Sequence, residues 1–93
     1  MDEIAVHRIH KAVEAAKQAA HQATIEQCDI GDVDEVIETV DRELARPTPN
    51  KNTLTLMLNS LARSLLVAPA ATETVQEIDR ALRLAGLPAT WNQ

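Results

Sequence analysis

Hydrophobic residues recur along this chain at three- and four-residue spacings, and the pattern breaks at three places. In residues 2 to 27 the apolar positions are Val6, Ile9, Val13, Ala16, Ala20 and Ala23, with Ala5 and Ala12 at the margin. At about 100° per residue they share one helix face roughly 120° wide. Alanine dominates the second half of that face, so a neighbouring helix can approach near the short end of the usual ~8–10 Å interaxial range. Gly31 then interrupts the pattern, and Asp32 with Glu35 three residues later has capping-box spacing. A second helix is expected over about 33–45, with Val33, Val36, Ile37, Val40 and Leu44 as its stripe.

The stretch RPTPNKN at 46–52 ends that helix, because Pro47 and Pro49 cannot continue it. The following TLTLML alternates like a strand. Over a longer window, however, Leu54, Met57, Leu58, Leu61 and Leu65 keep helical spacing, and leucine favours helix. A third helix is expected over about 53–67. APAAT at 68–72 is the next break, with Thr72 as the expected N-cap of a fourth helix over about 73–85, striped by Val75, Ile78, Leu82 and Ala85. Gly86, Leu87 and Pro88 form a stop signal: glycine for the left-handed position, an apolar residue, then proline. The tail 86–93 reads as irregular. These elements predict a single all-α domain over 1–93, either a four-helix antiparallel bundle or a compact helical array.

Composition narrows the classes of function. A chain of 93 residues buries only roughly 60% of its unfolded surface, which leaves little room for a deep private pocket. The net charge of −5 disfavours nucleic acid and anionic membrane surfaces as partners. One Trp, with no Phe or Tyr, removes the stacking platforms of single-strand binders, and two Gly leave no phosphate-cradling loop. No helix face gathers the Arg, Lys, Asn and Gln of a DNA-recognition helix. A single cysteine, Cys28, excludes an internal disulfide and suits a cytoplasmic setting. No charged leader precedes an apolar run at the N-terminus, and no apolar run approaches the roughly 18 residues of a spanning helix.

Four groups of residues invite a chemical reading. The segment 28–44 carries seven acids against Arg42 alone. It supplies no register with the ligand offsets of a calcium-binding EF-hand loop. Asp34, Glu35, Glu38 and Asp41 fall on the face away from the apolar stripe, with Glu43 on its flank. They form either an ordinary solvated face or a docking surface for a basic partner. On the first helix His7, His10 and His21 lie within about 60° of one another, in line with Glu3 and Glu14. Surface i,i+4 pairs, Glu3 with His7 and His10 with Glu14, account for that line. A divalent metal held by His7, His10 and a carboxylate such as Glu14 is the alternative.

Cys28 has acidic neighbours, which raise a thiol pKa, and Ser60 and Ser64 lack a nucleophile elbow. Lastly, Leu56, Leu66, Val67, Leu84 and Trp91 exceed what the inward stripes require. They mark either a third helix buried on two sides or an interface for a partner or a second copy. Segment 46–67 carries Arg46, Lys51 and Arg63 with no acid. The expectation is therefore a non-catalytic, cofactor-free interaction or regulatory module. It would use the acidic segment and the surplus apolar residues to hold a protein partner, basic or self. Divalent-metal binding through His7 and His10 is the second expectation.

Overall fold

Leu54, Leu58, Leu61 and Leu65, spaced by three and four residues, are all closed off from solvent, so one side of their helix is the centre of the core. The computed structural model describes residues 3–22, 30–66 and 71–91. They form α1 (Glu3–Gln22), α2 (Ile30–Leu44), α3 (Lys51–Leu65) and α4 (Thr72–Leu84). The α3 stripe meets Ile9, Val13 and Ala16 from α1, Ile37 and Val40 from α2, and Val75, Ile78 and Leu82 from α4 in one cluster. The architecture is an all-α helical array. α1 packs on α2 and α4, α3 packs on the same two helices, and α1 meets α3 more narrowly across the centre. The radius of gyration is 12.1 Å, against about 12 Å for a compact domain of this length.

Local sequence explains the start of α3 and the end of α4. Asn50 caps α3: its side chain accepts the Thr53 N–H at 3.1 Å, satisfying one orphan donor of the first turn. Gly86 has φ of +73°. Its N–H reaches the Arg83 carbonyl and the Leu87 N–H reaches the Leu82 carbonyl, the paired bonds of a Schellman turn. Leu87 is buried, which supplies the apolar contact that accompanies this turn.

Some boundaries and faces differ from the sequence pattern. α2 begins at Ile30, so Gly31 and Asp32 lie within it and Asp32 is not its N-cap. Glycine costs about 1 kcal/mol relative to alanine in a helix interior, too little to stop a helix held by the packing of Ile37, Val40 and Leu44. The N-cap of α4 is Ala71, not Thr72, and it makes no side-chain cap bond. Ala71 is buried in the core, so packing rather than a polar cap fixes this entry. On α1, Ala5 and Ala12 are buried while Val6 is only partly so. Two flanking helices draw the buried face toward the alanines, where backbones can approach. The expected extension of the first helix over 23–27, together with Cys28 and Val67, lies outside the described residues.

Candidate functional site

On α3, Leu56 lies about 180° around the helix from the buried leucine stripe. It is 65% exposed, while Leu54 and Leu58 on either side of it are fully enclosed. It lines a groove with Asn52, Thr55, Ser60, Arg63 and Thr90. A second groove runs between α2 and α3, lined by Glu35, Val36, Thr39, Met57, Ser60 and Ser64. Both grooves include Met57 and Ser60. Leu56 and Glu35 therefore flank one continuous ridge, a pairing that the helical periodicity of either segment does not reveal.

The acids of α2 do not act alike. His21 Nε2 lies 3.0 Å from Asp34 Oδ1 and His10 Nδ1 lies 3.6 Å from Asp41 Oδ1, so these two carboxylates face α1 and run the helices antiparallel. Glu43, placed on the flank by the helical pattern, is 8% exposed. Its Oε1 accepts the Asn50 N–H at 2.6 Å, and Arg46 Nη1 donates to both of its oxygens at 3.3 Å. One buried carboxylate thus ties the 45–50 turn to α2 just before the cap of α3. Glu35 and Glu38 are exposed and make no ion pair with a described residue. Of the four acids proposed for docking, these two are the ones without an ion pair among the described residues.

The histidine stripe is also split. His10 turns to Asp41 rather than to Glu14, because α2 brings a carboxylate closer across the seam. His7 is exposed and shares a shallow depression with Glu3, Val6 and His10. Glu14 is exposed on α1. Among the described residues no three His, Cys, Asp or Glu side chains are grouped to hold a metal ion.

The other proposed apolar positions are dispersed. Leu66 is 49% exposed at the C-terminal end of α3 and Leu84 is 50% exposed on α4. Leu56 and Leu66 are ten residues apart, about 15 Å along the axis, so they do not form one patch. Trp91 is not surplus: it is half-buried against the core.

What holds Trp91 is a polar clasp that hydropathy does not reveal. Asn59 is 6% exposed in the middle of the leucine series. Its Nδ2 donates to the Thr55 carbonyl at 2.8 Å and the Pro88 carbonyl at 2.9 Å. Its Oδ1 accepts the Thr90 and Trp91 N–H groups at 2.7 and 3.0 Å. All four hydrogen-bonding positions of the amide are used. The orientation is fixed by this set, since a flipped amide would set donors against N–H groups. Arg63 Nη2 donates to the Thr90 carbonyl at 3.2 Å, and the Trp91 indole donates to Asp79 Oδ1 at 3.1 Å.

Asp79 also accepts from Arg83 Nε at 2.8 Å. The Arg83 hydrogen bond, aided by the indole N–H and opposed by partial burial, holds its carboxyl below the usual carboxylate range. Nearby on α4, Glu77 Oε2 is buried without a hydrogen bond, and the Arg8 guanidinium compensates it only at 3.9 Å.

No protein-family model matches the chain, and neither does any curated protein or solved structure. Among the described residues no helix is long and apolar enough to cross a membrane.

Proposed function

We propose that this chain is a small, non-catalytic helical module of the cytosol that docks a basic protein partner on the outer face of α3 and the adjoining edge of α2. One observation carries the reading: the two grooves share Met57 and Ser60, which puts the exposed Leu56 and the exposed Glu35 on the two flanks of one ridge. An exposed leucine across a ridge from an exposed carboxylate offers an apolar anchor with a charged group nearby, as protein interfaces do. The net charge of −5 and the exposed Glu35 and Glu38 make the partner's complementary charge positive.

The test is capture from a lysate of the source cells with tagged wild-type protein, the Leu56→Glu variant, and the Glu35→Lys, Glu38→Lys double variant. The reading predicts one stoichiometric partner held by the wild type, lost by Leu56→Glu, and weakened by the double variant and by salt. Equal retention by all three folded proteins contradicts it. Recovery of a second copy of the chain alone replaces the basic partner with self-association.

A further inference from the structure

Besides packing Ala89 and Trp91 against the edge of the core, the tail after Leu87 makes polar contacts that anchor it at two separate places. The first is Asn59 on α3, which binds Pro88, Thr90 and Trp91 through their backbones. The second is Asp79 on α4, which binds the indole of Trp91. Between them Arg63 holds the Thr90 carbonyl. Thr90 and Arg63 are also walls of the groove that contains Leu56.

We infer that residues 88–91 form a detachable strap, latched at Asn59 and Asp79, that builds one wall of the Leu56 groove when docked and leaves the four helices folded when released.

Three observations support detachment. The hinge is already made: Gly86 at φ +73° and the Leu87 N–H bond to Leu82 complete α4 before the strap begins, so α4 needs nothing from residues 88–91 to end properly. Leu87 is buried and stays with the core, whereas Pro88 is exposed and Ala89, Thr90 and Trp91 are only partly buried. A segment that is only partly buried opens at a lower free energy than the fully enclosed core it lies on. The latches, moreover, are side chains that reach the strap's backbone and one indole, and water can replace each of these bonds once the segment lifts.

The Asp79 latch gives the strap an acid sensitivity. The groups facing Asp79 are Arg83 and Arg80 on its own helix and the Trp91 indole from the strap. α3 contributes Arg63, which holds Thr90 instead. The indole N–H donates to a carboxylate oxygen, and that acceptor weakens on protonation. The inference rests on contacts within the chain and not on what the groove binds.

Hydrogen exchange of the full-length protein, read residue by residue by NMR, tests it. Measurements on the wild type, Asn59→Ala and Asp79→Ala are compared, with Leu56 methyl shifts as a second readout. The expected result is protection at Thr90 and Trp91 in the wild type, lost in both variants, while protection at Leu61 and Leu82 is retained and the Leu56 methyls shift alike in both. Should Asn59→Ala fail to fold, Asp79→Ala alters only a partly exposed side chain on another helix and carries the same test. The inference is overturned if Thr90 and Trp91 exchange only when Leu61 and Leu82 do, if they are unprotected in the wild type, or if protection survives Asp79→Ala.

Discussion

The side-chain oxygen of Asn59 accepts the backbone N–H of Trp91 at 3.0 Å, across 32 positions of sequence. A single buried amide in a row of leucines thereby decides where the end of the chain lies. Asn59→Ala removes four bonds at once and leaves the Thr90 and Trp91 N–H groups to find water. Hydrogen bonds of this kind contribute about 0.5–1.5 kcal/mol each, and release of the tail recovers part of the loss. The expected net loss is about 2 kcal/mol in denaturant unfolding. Trp91 emission should shift to the red before helical circular dichroism changes.

Glu43 should be the most costly acid to remove, although it belongs to the same charged helix as Glu35 and Glu38. Glu43→Ala strands the Asn50 N–H at the start of α3 and frees Arg46 in the turn after α2. A loss of about 1–3 kcal/mol is expected, in line with leaving a part-buried donor unsatisfied. Glu43→Gln keeps an acceptor oxygen and should lose less. Glu35→Gln should stay within about 0.5 kcal/mol of the wild type, as surface changes usually do. Chemical denaturation of the three variants side by side checks the order.

Two leucines two residues apart should behave as opposites. Leu58 is fully enclosed and Leu56 is 65% exposed. Leu58→Ala should destabilise by about 2–5 kcal/mol, through lost transfer energy and the cavity left behind. Leu56→Ala should change stability by no more than about 0.5 kcal/mol. If Leu56→Ala were as costly as Leu58→Ala, Leu56 would be a structural residue and its exposure would need no partner to explain it.

Acid should release Trp91 through Asp79. Arg83 on the same helix and the Trp91 indole both lower the Asp79 carboxyl pKa in the folded protein; only the indole bond is lost on release, so through that bond the ionised form favours the docked state. That contribution is fully present above the unfolded-state value of about 3.9. It is lost as pH falls through the lowered folded value. Trp91 emission should therefore be flat from neutral pH down to the ordinary carboxylate range and move red only below it. Asp79→Asn keeps an acceptor for the indole but cannot titrate, so its profile should lack this step. An identical acid transition in Asp79→Asn would assign the step to other carboxylates.

Periodicity made the helices readable because burial follows spacing: Ile9, Val13 and Ala16, then Ile37 and Val40, then the α3 leucines, then Val75, Ile78 and Leu82 all lie in the core. Gly86 with Leu87 and Pro88 was readable because the left-handed turn has a strict residue requirement. The start of α2 and the cap of α4 were not, because tertiary packing outweighed a glycine and a threonine. Asn59 and Glu43 were unreadable for another reason. A polar residue in or beside a leucine stripe looks like solvent exposure, and its buried partners, Thr90 and Asn50, carry no local signal. The one available hint at Asn59 was an uncharged amide with Arg63 four residues on, and it points to no partner. The pairing of His10 with Asp41 and of His21 with Asp34 likewise depends on how α1 and α2 meet, which neither segment encodes alone.

Site-specific photo-crosslinking tests the docking ridge most directly. A photoreactive residue is placed at Ser60, which both grooves share, and separately at Gln76, an exposed position on α4 away from either. Each full-length protein is irradiated in a lysate of the source cells. The ridge account predicts one dominant adduct from Ser60, absent from Gln76 and abolished by Leu56→Glu. Adducts of equal yield from both positions, or a Ser60 adduct indifferent to Leu56→Glu, would contradict it.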